Sequence, residues 1–163
     1  MRRVIVALVA SSLGFHAVAR GEPASQPGPP AAASEPGAYV PDLGDIMETM
    51  QLRHFKLSYA GSVKNWKLAD YELTEIKKSF RNAARFYPTF GNVALAKLID
   101  DISEPALARI GDAIKAQDDA AFGRVFSQLT EACDSCHQAA GYGFITIRVP
   151  TASPFSNQSF PPN

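Results

Sequence analysis

Residues 118–137 read DDAAFGRVFSQLTEACDSCH. Phe122, Val125, Phe126, Leu129, Cys133 and Cys136 recur at intervals of three and four, which places them on one face of an α-helix. Asp118 stands where an N-cap belongs, with a short carboxylate able to accept from the free N–H groups of the first turn. The stretch therefore predicts an amphipathic helix that carries Cys133-Asp134-Ser135-Cys136-His137 in its last turns. Such a stripe must be buried against other elements, and the rest of the chain supplies them.

Upstream, from residue 42, Met47, Met50, His54, Leu57 and Gly61 repeat the same spacing and predict a first helix. Gly61-Ser62 marks a turn and Asn65 an N-cap. Ala69, Leu73, Ile76, Phe80, Ala83 and Tyr87 then line a second helix that stops before Pro88. A third helical stretch runs from about Asn92 to Ala116 through Leu95, Leu98, Ile102, Ala106 and Ile110. Ser103-Glu104-Pro105 predicts a break or kink within it, because proline is tolerated only in a first turn. Four amphipathic helices with short connections predict an all-α, up-down-up-down four-helix bundle over residues 42–140.

The flanks differ in character. Residues 20–41 hold six prolines among small and polar residues and predict a disordered linker. Residues 141–163 follow Gly141-Tyr142-Gly143 with a β-branched run, Phe144 to Val149, and a Pro, Ser, Asn and Phe-rich end. They predict an irregular, extended tail laid over the bundle by Phe144, Ile145, Ile147 and Phe155. At the other end, Met1-Arg2-Arg3, an apolar run from Val4 to Phe15 too short to span a bilayer, and Ala17-Val18-Ala19 read as a signal peptide over residues 1–19. A soluble periplasmic product, free of the membrane after cleavage, is the expectation. Cleavage removes Arg2 and Arg3 and no acid, so the 16 basic residues fall to 14 against 16 acidic ones, a net charge of −2. Nothing in this balance points to nucleic acid.

Two cysteines in an exported chain usually form a disulfide. Here the spacing and the following histidine indicate other chemistry. Haem is fixed to protein by adding two thiols across its vinyl groups, with the adjacent imidazole reaching the iron, and Cys-x-x-Cys-His supplies that arrangement. One covalent haem c on Cys133 and Cys136, with His137 as the proximal iron ligand, is the expectation. A thioredoxin-like dithiol would sit at the start of a helix after a strand. A structural zinc site needs two further ligands, whereas beyond residue 19 there is no other cysteine and, besides His137, only His54. A plain disulfide assigns no role to His137.

In an antiparallel bundle the end of helix four lies beside the start of helix one, the end of helix two and the start of helix three. Met47, Met50, Leu57, Phe80, Ala83, Ala84, Phe86, Tyr87, Phe90, Leu95 and Leu98 are the expected wall there. The possible sixth ligands are Met47, Met50 and His54, all on one face of helix one. A buried imidazole needs a partner to offset desolvation, which favours His54 as the distal iron ligand, with Met50 the alternative and Met47 third.

The four helices, the Cys133-Cys136-His137 motif near the end of the last and the stretch Asp118 to His137 resemble the class II c-type cytochromes, cytochrome c-prime and its low-spin relatives. The resemblance covers about residues 42–140. In that family helix one often carries Arg-Gln-x-x-Met-Lys or Leu in place of Met; aligning its Gln with Gln51 puts His54 in the distal slot. The segment Gln51 to Leu57 and the tail Pro150 to Phe155 are similar to those of exported cytochromes. Two features depart from the pattern: the chain continues for 26 residues past His137, and Met50 stands where the family often has a distal Arg. The resemblance implies a single-haem, six-coordinate low-spin one-electron carrier, not an enzyme, that meets a redox partner protein and can form a homodimer through its first two helices. The alternative is a five-coordinate protein that binds or senses nitric oxide or carbon monoxide. Lys77, Lys78, Arg81 and Arg85 form a basic stripe on helix two able to meet an acidic partner.

Overall fold

A computed structural model describes residues 39–162. The expected signal peptide (1–19) and the expected linker up to residue 38 lie outside the described residues. The described chain folds as helices: α1 (Leu43–Ser62), α2 (Trp66–Phe86), α3 (Leu95–Leu98), α4 (Glu104–Ala116) and α5 (Asp119–Ala139). A π-helical turn, Ile99–Ser103, joins α3 to α4 and makes them one helical arm. Among the described residues there is no strand, only an isolated bridge between Phe90 and Val93.

The helix starts follow from capping chemistry. Asp42 accepts from the Gly44 N–H at 2.8 Å, Asn65 from Leu68 at 3.2 Å and Asp118 from Ala121 at 2.9 Å, each satisfying a donor that a helix leaves free in its first turn. The α2 helix ends at Phe86, ahead of Pro88. The third arm starts later than its sequence pattern suggests, at Leu95 rather than about Asn92. Gly91 at φ +57 and the Phe90–Val93 bridge hold residues 90–93 in a tight turn. Within that arm the expected break at Ser103-Glu104-Pro105 takes the form of the π turn. Proline offers no N–H and its ring would press on the carbonyl four residues back. The wider turn directly before Glu104 lets the helix continue, with Pro105 in the first turn of α4.

Each arm packs on the next: α1 along α2, α2 along α4, α4 along α5, and α5 back on α1. Cross-helix pairs give the directions. Tyr87 at the end of α2 donates its hydroxyl to the Pro41 carbonyl just before α1. Arg109 of α4 reaches Gln128 of α5, and Ser103, just before α4, reaches Cys136 near the end of α5. The result is an all-helical, antiparallel bundle around Leu57, Ile76, Leu107, Ile110 and Leu129, all shut away from solvent. Glu72 lies inside it, buried and paired at 3.0 Å with the partly exposed Arg53. No helix of the described residues is long and apolar enough to cross a membrane.

The gap between α1 and α5 is narrow at one end. A Cβ on Gly61 would collide with the ring of Phe122, so only glycine permits this approach. After Gly141, at φ +81, the chain turns back, and the Tyr142 N–H bonds the His137 carbonyl at 2.7 Å. Residues 144–162 form neither helix nor strand and run along α1. Phe155 meets Phe55, Phe160 meets Tyr59, and Asn65 donates to the Phe160 carbonyl at 2.9 Å.

Candidate functional site

At the other end of the α1–α5 gap lies a cavity of about 280 Å³. The N-terminal half of α1 lines it with Met47, Met50, Gln51 and His54, and the last turns of α5 with Cys133, Cys136 and His137. Phe90 and Leu95 close one side, and Tyr142, Ile145 and Ile147 from beyond α5 another. Gly44, Glu48, Gln51 and Ile145 are exposed, so the cavity opens to solvent along that rim.

Every site residue anticipated from sequence therefore meets in one place, with the two thiols and His137 on α5 facing candidate ligands on α1. The expected wall is corrected in part. Met47, Met50, Phe90 and Leu95 line the cavity, whereas Leu57, Phe80, Ala83 and Tyr87 belong to the packed core. The positions assigned to the end of α2 are filled instead by the chain after α5, whose Tyr142 packs on Phe90 with ring centroids 5.6 Å apart.

The cysteines are free thiols, both half-buried. Burial, then the neighbouring Cys136 and Asp134, push the Cys133 thiol up to about 12. Burial also raises Cys136, against a hydrogen bond from Ser103 Oγ at 3.8 Å. Their place near the negative end of the α5 dipole acts in the same direction. A reactive dithiol needs the opposite environment, with a depressed thiol pKa. These sulfurs are poor nucleophiles as they stand.

His137 is held by one ring nitrogen. Nδ1 lies 2.9 Å from the Ile145 carbonyl, which only accepts, so Nδ1 carries a proton. In the neutral imidazole the lone pair is thereby fixed on Nε2. This is the arrangement by which metal-binding histidines are oriented, one nitrogen anchored to a carbonyl and the other left to ligate.

His54 sits deep in the α1 wall, 4% exposed. The Thr130 hydroxyl donates to the Phe126 carbonyl at 3.0 Å, so its oxygen accepts from His54 Nε2–H at 2.9 Å. The imidazole also lies against the Phe126 ring, centroids 4.5 Å apart. Burial lowers its pKa to about 4 although the Asp134 charge opposes this, so the ring is neutral at pH 7. Met50 is buried in the same wall and Met47 partly so.

The sequence assigned no role in the site to Thr130, Ser103 or Asp134. Thr130 falls on the stripe of α5 four residues after Phe126, a signal that spacing offered. The contact of Ser103 with Cys136 depends on the π turn, which periodicity does not reveal.

No family model, no curated protein and no solved structure matches the chain. Among the described residues, no group of three or more His, Cys, Asp or Glu is placed to hold a metal ion. The donor set brings paired sulfurs and one oriented imidazole to a mostly apolar slot.

Proposed function

We propose that the protein is an exported single-haem c-type cytochrome that carries one electron between protein partners. The observation that carries this reading is the convergence, on one apolar cavity, of Cys133, Cys136 and a His137 whose Nε2 lone pair is free, opposite Met50 and His54 of α1. The thiols would hold the porphyrin as thioethers and His137 would bind its iron. Bound there, the haem supplies a ferric–ferrous couple. The chain's own contribution is positional: α5 fixes the two sulfurs and the imidazole on one helical surface, beside a mostly apolar cavity wall. Export rests on residues 1–19, and the likeness to class II c-type cytochromes on Asp118 to His137.

As a second iron ligand His54 remains the first choice and would make the protein six-coordinate and low-spin. The Thr130 contact favours a second reading. His54 would have to give up its Nε2 bond to Thr130 to bind iron through that atom, whereas among the described residues Met50 has no side-chain hydrogen bond to surrender. With neither bound, the iron would be five-coordinate and open to nitric oxide or carbon monoxide.

Purification from a host able to mature such proteins tests this. The expected product is red, exceeds the apoprotein by one haem in mass, and shows a low-spin spectrum that His54→Ala converts to high-spin. A low-spin spectrum unchanged in His54→Ala but lost in Met50→Ala assigns the ligand to Met50; rapid carbon monoxide binding by the unaltered protein assigns the open form. A colourless protein with both thiols intact overturns the reading.

A further inference from the structure

Two hydrogen bonds tie the chain after α5 back to the Cys133–His137 segment. The Ile147 N–H donates to Asp134 Oδ1 at 2.7 Å, and His137 Nδ1 donates to the Ile145 carbonyl at 2.9 Å. Asp134 is one of the two residues enclosed between the cysteines. Its carboxylate therefore holds, two residues along, the same strap whose carbonyl holds the His137 ring. The turn is further set by Tyr142 N–H to the His137 carbonyl and by Ile145 N–H to the Tyr142 carbonyl at 2.8 Å. His137, Tyr142, Ile145, Ile147 and Asp134 thus form a loop that begins and ends within one helical turn of α5.

We propose that this loop is a positioning device, in which Asp134 fixes the Ile145–Ile147 strap and the strap fixes the rotation and tautomer of the His137 imidazole. A carbonyl accepting from Nδ1–H gives the imidazole more donor strength at Nε2. Asp134 is accordingly a positioning residue that acts through backbone. Its effect on iron rests on the haem reading above; its effect on the His137 ring does not.

Asp134 also brings a negative charge, which alone would favour ferric iron. Asp134→Asn removes the charge and keeps an oxygen able to accept from Ile147. Asp134→Ala removes both, and Ile147→Pro removes the donor and leaves the charge. Haem content is first measured by mass on each full-length protein. The readouts are amide exchange at Ile147 (at Ser135 and Thr146 for Ile147→Pro), the nitrogen-resolved NMR signature of the His137 Nδ1 proton in the reduced or haem-free form, and the midpoint potential where haem is present.

Positioning predicts that Asp134→Asn keeps a protected Nδ1 proton and slow exchange. Asp134→Ala exchanges Ile147 at least about tenfold faster, as expected when a part-buried hydrogen bond to a charged acceptor, worth about 1.4 kcal/mol or more, is lost. Asp134→Ala and Ile147→Pro both lose the Nδ1 proton signal, and the potential of the haem protein rises in Asp134→Ala above that of the charge-matched Asp134→Asn. The proposal is overturned if Asp134→Asn and Asp134→Ala behave alike, or if the Nδ1 proton survives in Asp134→Ala. A protein without haem defeats the proposed function alone, because exchange and the Nδ1 signal still decide the role of the strap.

Discussion

His54 Nε2 lies 2.9 Å from Thr130 Oγ1, joining α1 to α5 at the inner edge of the cavity. A neutral imidazole is required there, because burial has taken its pKa from an ordinary 6.5 to about 4. Between those values the unfolded chain binds a proton that the folded chain refuses. Stability is therefore present above pH 6.5 and is lost as pH falls toward 4, by up to about 3 kcal/mol. Urea unfolding at pH 7 and pH 4.5 should show this loss, with His54→Leu flattening it. Iron ligation would act with the same sign, since a ligating imidazole also resists the proton. An equal acid slope in His54→Leu would place the sensitivity elsewhere.

The two sulfurs make a second prediction. In chain produced without haem attachment, folded Cys133 should react with iodoacetamide at pH 8 about a thousandfold more slowly than in denaturant, since its thiol sits at about 12 against an ordinary 9.0. In matured protein neither cysteine should react even when unfolded, because both sulfurs are then bonded to carbon. Fast labelling of the folded chain would return the site to dithiol chemistry.

Glu72 and Arg53 give the third. Removing the cation strands a buried carboxylate, so Arg53→Met should cost about 3 kcal/mol. Replacing the pair together, Arg53→Met with Glu72→Leu, should recover most of that loss in thermal or urea unfolding. If the double variant is no better than the single one, the arginine side chain, whose Cζ also lies 5.6 Å from the Tyr71 ring centroid, supplies the stability by packing on that ring.

The narrow end of the α1–α5 gap gives the fourth. Gly61→Ala drives a methyl group into Phe122 and must move the ring or spread the helices, at about 1–3 kcal/mol. Because Phe122 stacks on Phe126, which in turn packs on His54, the change should also reach the cavity. An undisturbed melting temperature would mean that the ring swings aside freely.

The helical architecture was legible because its signals are local. Asp42, Asn65 and Asp118 announce helix starts, Pro88 forbids continuation, and the stripes through Leu57, Ile76 and Leu129 allow one packing. The meeting of Met50 and His54 with Cys133 and His137 followed from antiparallel order. What escaped was set by distant or backbone partners. Thr130 reaches His54 across 76 residues of sequence, the acceptor for His137 is a main-chain carbonyl with no side-chain signature, and Asp134 read only as a spacer between cysteines. The π turn escaped too, since Pro105 signals that a helix must yield without saying how.

Three lining residues, Tyr142, Ile145 and Ile147, come from chain made after His137. If haem is attached as proposed, the two sulfurs and the imidazole that would bond it all precede this wall in the chain, so a variant ending at His137 would keep every bonding group and leave that side of the cavity unroofed.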